Sequence, residues 1–264
     1  MPHLNIELLT STRTKFYFIS DFHLGIPDYE SSLQREKRFV RLLDEAKNDA
    51  SAIYLMGDIF DFWFEYNTVI PKGFTRLFGK LAEITDSGIP VHLFRGNHDI
   101  WAFNYLETEL HIQLHRTSEI VILGKKKFFL SHGDGIGPGD HGYKLLKKLF
   151  EFRPNQWLFR WLHPDIGSRL ALYFSRKSRI ANIIKEGRIE KTGIYDNERL
   201  VIFSRKMAAE DPSIDYFIFG HRHLPIDIPI SANARCIILG DWVTNFTYAV
   251  FDGEDLHLNH FPDV

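Results

Sequence analysis

Five short clusters of polar residues, each following an apolar run, constrain the fold of this chain more than any other feature. The apolar runs are short and rich in β-branched and aromatic residues, which predicts strands that end where the polar residues begin. Because ligands of open α/β sheets gather beyond the carboxyl ends of the strands, we expect the clusters to meet in one crevice. The clusters are Asp21-Phe22-His23, Gly57-Asp58-Ile59-Phe60-Asp61, Gly96-Asn97-His98-Asp99, His132-Gly133-Asp134 and Gly220-His221-Arg222-His223.

The order of apolar runs and helical periodicities predicts an α/β fold with two mixed sheets. The first third of the chain reads strand–helix–strand–helix–strand, which implies parallel pairing with right-handed crossovers. The later part is richer in strands and tight turns, as in a second sheet packed on the first with helices outside. The predicted strands are Lys15–Ser20, Ala52–Met56, Pro90–Phe94, Glu119–Leu123, Lys127–Ser131, Tyr216–Phe219, Arg235–Leu239, Phe246–Phe251 and Leu256–Phe261. The predicted helices are Ser32–Asn48, Phe74–Ser87, Tyr195–Glu210 and much of His141–Lys185.

Length and composition favour a single domain over residues 1–264. The chain is 44% hydrophobic and 25% charged, which is typical of a globular protein that buries a sizeable core. The single cysteine, Cys236, lies in an apolar run, where a small buried hydrophobic residue is expected rather than a reactive thiol. Met1 to Thr14 lack the pattern of a signal peptide, and no run approaches the roughly 20 apolar residues that span a bilayer. The sequence therefore predicts a cytoplasmic location, with peripheral attachment to a membrane left open.

Residues 141–190 differ in composition from the rest of the chain and are predicted to form a helical cap insertion within the domain. From Tyr143 to Arg188, eleven basic and three acidic residues give a net charge of +8, whereas the whole chain carries −2. Leu, Phe and Trp are interleaved with these basic residues, which suits an apolar groove for lipid tails or the anionic face of a membrane. The alternative is an ordinary pair of amphipathic helices with solvated Lys and Arg on the outer face.

The residue types in the five clusters suit divalent metal ions. Carboxylates, an amide oxygen and imidazoles together favour Mn²⁺, Fe²⁺ or Zn²⁺, and the absence of cysteine disfavours ions that select thiolates. Asp-X-His and His-X-His direct two side chains to the same side of an extended chain, because side chains alternate with period two. Each cluster alone has an ordinary explanation as a turn, a helix N-cap or a surface pair. All five together, in this order and each at a predicted strand end, indicate a metal centre.

These motifs resemble the calcineurin-like metallophosphoesterase family, whose pattern runs D-x-H, G-D-x-x-D/E, G-N-H-D/E, H and G-H-x-H. Every motif position matches between Asp21 and His223. The resemblance implies a four-layer αββα sandwich that binds two divalent ions, with Mn²⁺ expected first and Fe²⁺ or Zn²⁺ as alternatives. It also implies that one ion is held by Asp21, His23, Asp58 and His223, and the other by Asp58, Asn97, His132 and His221, with Asp58 bridging.

The same resemblance implies the reaction class, which is hydrolysis of a phosphoester or pyrophosphate by a metal-activated water. Two adjacent cations acidify that water, offset the charge of the phosphate oxygens and hold phosphorus for in-line displacement. His98 is expected to donate a proton or a hydrogen bond near the leaving group, and Asp99 is expected to orient it through a ring nitrogen. If the family geometry is absent, His98 is only a loop histidine.

A narrower resemblance, beyond the metal motifs, is to the hydrolases of UDP-2,3-diacylglucosamine, a family of lipid A biosynthesis. Asp140-His141-Gly142-Tyr143, the basic aromatic insertion and the closing Leu239-Gly240-Asp241-Trp242 carry it. It implies cleavage of a pyrophosphate to UMP and a lipid monophosphate, with acyl chains covered by the insertion. One position departs from that family, since His98 replaces the Arg of G-N-R-D. The implied substrate-binding residues are Asn97, His98, Asp140, Tyr143, Arg176, Lys177 and Arg179.

Three other functions remain compatible with the residues. The same reaction class allows a soluble nucleotide, a cyclic nucleotide or a phosphoprotein as substrate. A nuclease or nucleic-acid-binding protein would use the basic insertion, but the acidic remainder of the chain argues against an extended contact with a duplex. A metal-free interaction scaffold predicts lost ligands, and every ligand position of the family pattern is filled here.

Overall fold

Two β-sheets form the centre of the protein in the computed structural model, which describes residues 13–137, 139, 141–175 and 195–262. The strands are β1 (Lys15–Ile19), β2 (Ala50–Leu55), β3 (Val91–Phe94), β4 (Gln113–His115), β5 (Glu119–Leu123), β6 (Lys126–Ser131), β7 (Tyr216–Phe219), β8 (Pro225–Pro229), β9 (Arg235–Leu239), β10 (Thr247–Phe251) and β11 (Leu256–His260). The first sheet has the strand order β11-β10-β1-β2-β3-β4, and the second has the order β5-β6-β7-β9-β8.

Both sheets are mixed. In the first sheet β1, β2, β3 and β4 run parallel, and β10 and β11 add antiparallel strands at one edge. In the second sheet β6, β7 and β9 run parallel, with antiparallel β5 and β8 at the two edges. The helices between parallel strands are α1 (Tyr29–Ala46), α2 (Thr75–Asp86) and α3 (Tyr105–Leu110) in the first half and α7 (Arg199–Glu210) in the second.

The apolar residues form layers that match this order. Between the sheets lie side chains such as Phe18, Phe128 and Phe251, whose alternation along the strands turns every second residue inward. The outer face of the first sheet buries Phe22, Phe39 and Trp242 together with α1 and α2. A third cluster, which contains the buried Cys236 and part of α7, covers the outer face of the second sheet. Helix, sheet, sheet and helix layers therefore follow one another, and the predicted αββα sandwich is confirmed.

Most predicted strands and helices agree with the structure to within a few residues, but α3, β4 and β8 were not predicted. The strand β8 begins at Pro225 and ends at Pro229, and Asp227 between them is exposed. Proline and a charged residue weaken the pattern of a strand, yet both are common on edge strands, and β8 is an edge. The segments β4 and α3 span only three and six residues, too short for a clear periodicity.

The predicted cap insertion is helical as far as the structure describes it. Its helices are α4 (His141–Glu151), α5 (Arg153–Arg160) and α6 (residues 164–175), which we call the cap helices. They attach to the body through Trp101, which donates from Nε1 to the carbonyl oxygen of Phe150 at 2.9 Å. A second contact joins Arg160 to Oδ1 of Asn67 at 3.0 Å. Residues 176–190 of the predicted insertion lie outside the described residues, so its boundary stays a prediction.

A helix that crosses a membrane needs about 20 consecutive and predominantly apolar residues. The longest helix of the described residues, α1, has 18 residues and carries charged side chains throughout. In the described part of the chain, no helix combines sufficient length with sufficient apolar character to cross a bilayer.

Candidate active site

The polar clusters of the sequence meet at one end of the two sheets. Asp21 and Asp58 follow β1 and β2 of the first sheet, and His132 and His221 follow β6 and β7 of the second. Asn97 follows β3 and comes within 2.9 Å of His221, with Oδ1 of the amide facing Nδ1 of the ring. Because parallel strands of both sheets end here, side chains far apart in the sequence are brought into contact.

One group of potential ligands consists of Asp21, His23 and His223, whose ligand atoms all lie within 4.8 Å of one another. Oδ1 of Asp21 is 3.6 Å from Nε2 of His23 and 3.9 Å from Nε2 of His223. The two imidazole rings stack with their centroids 5.0 Å apart. A carboxylate and two imidazoles that face one point can hold a divalent cation.

A second group consists of Asp58, His132 and His221. Oδ2 of Asp58 is 3.3 Å from Nε2 of His132, and the same oxygen is 3.8 Å from Nε2 of His23 in the first group. Asp58 therefore lies between the two groups, where one carboxylate can contact two cations.

The backbone at these residues is strained. Asp21, His23, Asp58 and His221 have φ angles of 58°, 46°, 53° and 65°, in the left-handed region that residues other than glycine rarely adopt. Gly57 has a φ of 96°, and a Cβ there would come within 2.5 Å of Nδ1 of His132. Such strain clusters at functional sites, where the surrounding structure holds it in place.

Buried polar atoms in this crevice fit a bound cation. Oδ1 of Asp21 and Nε2 of His132 are buried and make no hydrogen bond of good geometry in the described part of the chain, although Oδ2 of Asp58 lies 3.3 Å from that nitrogen. Nδ1 of His132 donates to the carbonyl oxygen of Met56 at 2.7 Å, which leaves Nε2 directed at the crevice. Burial alone would lower the pKa of His132, but the negative charge of Asp58 outweighs it and raises that pKa to about 10. A positive charge is therefore favoured where a metal ion would bind.

His223 is oriented by a carboxylate outside the crevice. Its Nδ1 lies 3.1 Å from Oδ2 of Asp241, which turns Nε2 towards Asp21. Oδ1 of Asp241 is held in turn by the backbone amides of Thr244 and Asn245, both at 2.9 Å. A carboxylate that accepts from the second nitrogen of a ligating imidazole fixes its tautomer and orientation, as is common around protein-bound metals.

The similarity of this chain to known proteins shows the family to which it belongs. The model of the calcineurin-like phosphoesterase family matches residues 14–225. This chain belongs to the calcineurin-like phosphoesterase family. The UDP-2,3-diacylglucosamine hydrolase of Porphyromonas gingivalis is 39% identical over 260 residues, which cover 96% of this chain and 99% of the relative. The enzyme of the same name from Shigella dysenteriae is 26% identical over 93% of this chain and 98% of its own. Among solved structures, the Escherichia coli phosphoesterase Yfce matches with a TM-score of 0.45 and 15% identity, covering 94% of this chain and 93% of that chain.

The chain is thus a hydrolase of the metallophosphoesterase class, and the groups above supply residues able to bind its divalent metals. His98 of this phosphoesterase lies beside the first group, with its ring 4.8 Å from that of His23. Nδ1 of His98 donates to the carbonyl oxygen of Asp61 at 2.8 Å and lies 3.8 Å from Oδ1 of the same residue. Asp61 therefore orients His98.

The prediction that Asp99 orients His98 is wrong. Both oxygens of Asp99 accept from backbone amides, Oδ1 from Gly96 at 2.5 Å and Oδ2 from Ile59 at 2.9 Å. Burial and the negative charge of Asp58 raise the pKa of Asp99 to about 6. Asp99 is fully buried and ties the loop after β3 to the loop after β2, so it shapes the site without reaching His98.

Tyr143 lies near His221 in the phosphoesterase site, with the two ring centroids 6.3 Å apart. Its hydroxyl donates to Oδ2 of Asp134 at 2.6 Å, and Nζ of Lys147 donates to the same oxygen at 2.7 Å. Burial and the charge of Asp134 raise the pKa of Tyr143, so its phenol stays protonated. Asp134 belongs to the His132-Gly133-Asp134 cluster, and its role here is to fix Tyr143 and Lys147 on α4.

An apolar chamber of about 370 Å³ opens beside His98 between the body of the phosphoesterase and the cap helices. Asn97, His98 and Asp61 form its polar end, and Ser175 of α6 closes that end with a hydroxyl donated to Oδ2 of Asp61 at 2.7 Å. The remaining wall is mostly apolar and consists of Phe62, Ile100, Trp101, Tyr143, Leu146, Phe150, Phe159, Leu170, Ala171 and Phe174.

Four predicted substrate residues have no described position. Asp140, Arg176, Lys177 and Arg179 lie outside the described residues, so their contacts stay predictions. Four other residues, Asp61, Asp134, Ser175 and Asp241, contact the site without having been assigned a role from the sequence. Asp61 and Asp134 stand inside the metal motifs and Asp241 inside Leu239-Gly240-Asp241-Trp242, so these motifs themselves could have indicated them. The contact of Ser175 with Asp61 could not be read from the local sequence, because the two residues are 114 positions apart.

Proposed function

We propose that this phosphoesterase hydrolyses the pyrophosphate of UDP-2,3-diacylglucosamine and releases UMP and 2,3-diacylglucosamine 1-phosphate. The observation that carries the proposal is the chamber, because its apolar wall begins at the residues that border the metal-ligating groups. A diacylated sugar nucleotide presents a pyrophosphate next to long acyl chains, so it needs cations and an apolar cavity side by side. The relatives that bear the name of this hydrolase, at 39% and 26% identity, support the same substrate.

We propose that the site binds two metal ions, with Mn²⁺ as the preferred metal and Fe²⁺ or Zn²⁺ as alternatives. The proposed ligands offer carboxylate and amide oxygens and imidazole nitrogens, a mixture that suits borderline divalent ions. Asp58 serves both ions, because its Oδ2 faces a histidine of each group. The ligands are Asp21, His23, Asp58, Asn97, His132, His221 and His223.

When bound, such ions supply an acidified water as nucleophile and offset the charge of the phosphate oxygens. The residues of the chain then orient the substrate and exclude bulk water. Asp61 holds His98 through Nδ1, which leaves Nε2 of His98 as the ring nitrogen that would donate to the substrate phosphates. Tyr143 presents a protonated phenol beside His221, where it can contact the sugar. Asn97 and His98 line both the crevice and the chamber, so they act where the sugar phosphate would lie.

The exposed face of the cap helices supports a further part of the proposal, which is peripheral contact with the cytoplasmic face of a membrane. Trp161 and Leu145 are 75% and 71% exposed, and the cap helices also carry the exposed basic residues Lys148, Arg153 and Arg169. Apolar side chains next to cations suit a surface of anionic lipids, where a lipid-linked substrate resides.

Sedimentation with vesicles that contain phosphatidylglycerol should deplete the protein from solution. Trp161→Glu should reduce the sedimented fraction more than Ile122→Glu on β5. Equal sedimentation of both variants and wild type would contradict the contact.

The decisive experiment measures release of UMP from UDP-2,3-diacylglucosamine with Mn²⁺, and Asp58→Ala gives the background. UDP-N-acetylglucosamine, which lacks the long acyl chains, should be cleaved far more slowly. Absence of UMP with Mn²⁺, Fe²⁺ and Zn²⁺ alike would refute the proposed substrate.

A variant of the chamber sharpens this test. Ala171→Trp fills the chamber and should raise KM for the diacylated substrate, whereas hydrolysis of the small diester bis(p-nitrophenyl) phosphate should be retained. Ile166→Trp is the matched control, since Ile166 lies on the same helix, is 60% exposed and does not line the chamber. If the two variants behave alike towards the diacylated substrate, the acyl chains do not use this chamber.

A further inference from the structure

Ser175 links the cap helices to a carboxylate beside the metal-ligating groups. Its hydroxyl donates to Oδ2 of Asp61 at 2.7 Å and lies 3.4 Å from Nδ1 of His98. Asp61 is 1% exposed, so this oxygen is sequestered from bulk water. On the side of α6 that lines the chamber, the neighbours of Ser175 are Ala171 and Phe174, so a hydroxyl interrupts an apolar surface where it reaches the site.

The other atoms of Asp61 explain why this contact matters. Oδ1 of Asp61 lies 3.5 Å from Nδ1 of His23 and 3.8 Å from Nδ1 of His98, and its carbonyl oxygen accepts from His98 at 2.8 Å. One residue therefore contacts an imidazole of the first ligand group, the imidazole beside the substrate phosphates and a serine of the cap.

We propose that Ser175 is a positioning residue that couples the seating of the cap helices to the geometry of the metal centre through Asp61. Without the hydroxyl, Oδ2 of Asp61 loses one of the donors that hold this buried carboxylate in place, and the loss of a hydrogen bond to a charged group is costly. The carboxylate then turns towards other donors, and Oδ1 leaves its position between His23 and His98. The coupling is reciprocal, because whatever fixes His23 and Asp61 also stabilises the seated cap.

Activity can be measured on a substrate that does not depend on the cap as a lipid-binding wall. With bis(p-nitrophenyl) phosphate and Mn²⁺, Ser175→Ala should lower kcat about tenfold, as loss of one hydrogen bond to a charged group predicts. At saturating Mn²⁺, KM should change less than about twofold and metal content should be unchanged, because Ser175 is neither a ligand nor a contact of a small diester. Ser175→Thr keeps a hydroxyl and should retain most of the activity. Ser168→Ala is the control, since Ser168 lies on the same helix and does not line the chamber.

Hydrogen exchange gives a readout that is independent of activity. Addition of Mn²⁺ to the wild-type protein should slow amide exchange of residues 164–175, and this effect should persist in Ser168→Ala and disappear in Ser175→Ala. If Ser175→Ala matches Ser168→Ala in both kcat and exchange, the coupling is refuted. It is also refuted if Ser175→Ala only raises KM for UDP-2,3-diacylglucosamine, because the hydroxyl then contacts the lipid.

The inference rests on the proposed function for the identity of the cap's substrate but not for the coupling itself. A wild-type protein that cleaves the diester and not UDP-2,3-diacylglucosamine would refute the proposed substrate alone. The comparison between Ser175→Ala and Ser168→Ala would still decide the role of Ser175.

Discussion

Asp58 and His132 face each other across the two sheets, with Oδ2 of the carboxylate 3.3 Å from Nε2 of the imidazole. Asp58 follows β2 of the first sheet and His132 follows β6 of the second, and both side chains are buried. A cation held by this pair crosslinks the two sheets at the edge of their shared core. Metal binding should therefore contribute to the stability of the fold as well as to hydrolysis.

Removal of metal is expected to lower the melting temperature. A ligand that binds only the folded state stabilises it by about 2.7 kcal/mol when its free concentration is 100 times its Kd. Thermal unfolding followed with Mn²⁺, after EDTA, and after restoration of Mn²⁺ should show a reversible decrease in Tm. The Tm of Asp58→Asn should change much less on addition of EDTA than the Tm of the wild type. A wild-type Tm that EDTA leaves unchanged would contradict a cation between the sheets.

Replacement of Asp58 with Ala should abolish hydrolysis. It should also reduce the number of metal ions bound per chain below two, because one carboxylate serves both ligand groups. The quantity to measure is metal per chain by elemental analysis, together with turnover of bis(p-nitrophenyl) phosphate. His98→Ala supplies the contrast, since His98 is not among the proposed ligands and should lose turnover while retaining metal. Retention of both ions at full occupancy in Asp58→Ala would show that the carboxylate does not bridge.

Asp241→Asn should weaken metal binding although Asp241 is not among the proposed ligands. The carboxylate accepts at 3.1 Å from Nδ1 of His223, and burial, which would raise its pKa, is outweighed by His223, so the pKa falls to about 2. An amide of the same shape presents a donor or a weaker acceptor to the ring, and loss of such outer partners typically costs about 10–100-fold in affinity. Titration with Mn²⁺ by calorimetry measures the effect, with Asp227→Asn on the edge strand β8 as a control. Equal affinities for the two variants would show that His223 needs no such partner.

The sequence was sufficient for the fold class and for the meeting of the clusters, and the reason is geometric. Asp21, Asp58 and Asn97 stand directly after strands that pair in parallel, so knowing where the strands end is enough to bring them together. The same holds for His132 and His221 after β6 and β7. Strand ends are local properties of the sequence, and the topology follows from the alternation of strands and helices.

Contacts that depend on side-chain direction could not be predicted in this way. Asp99 is adjacent to His98 in sequence, yet its carboxylate points to the amides of Gly96 and Ile59, and Asp61 takes the expected role. Adjacent residues of a tight loop diverge, whereas residues from neighbouring loops converge. Ser175 could be found only from the fold, because its contact depends on how the cap helices seat on the body.

His92 should make the stability of the protein sensitive to mild acid. It is partly buried, with Nδ1 3.0 Å from Nε2 of His115, and burial together with His115 lowers its pKa to about 4. The unfolded chain takes up this proton near pH 6.5, so between about pH 6.5 and 4 the unfolded state binds more protons than the folded state. The free energy of unfolding should therefore fall as the pH decreases through this window, and the loss should level off below about pH 4.

Urea unfolding at about pH 7 and pH 4.5 measures this contribution as a difference between wild type and His92→Gln. Because His92 is only partly buried, the wild type should lose about 1–2 kcal/mol more than the variant over this interval. The comparison cancels acid effects of the metal-ligating residues, which both proteins share. Parallel pH dependences would show that His92 titrates alike in the folded and unfolded states.

Glu36 should stabilise α2 from the neighbouring helix α1. Phe74, the residue before α2, has a φ of 58° and makes no side-chain cap, so the first amides of the helix need another acceptor. Oε1 of Glu36 accepts from the backbone amides of Arg76 at 2.9 Å and Leu77 at 3.1 Å, and Glu36 is buried. A carboxylate at the N-terminus of a helix also interacts favourably with the helix dipole.

Glu36→Ala leaves these amides without an acceptor and should lower the free energy of unfolding by about 1–3 kcal/mol, measured with urea. Glu36→Gln keeps an oxygen that can accept from both amides and loses only the charge, so it should be destabilised by less. Exposed Glu30, also on α1, provides a control, and Glu30→Ala should have little effect. If Gln and Ala at position 36 cost the same, the charge rather than the capping geometry of Glu36 stabilises α2.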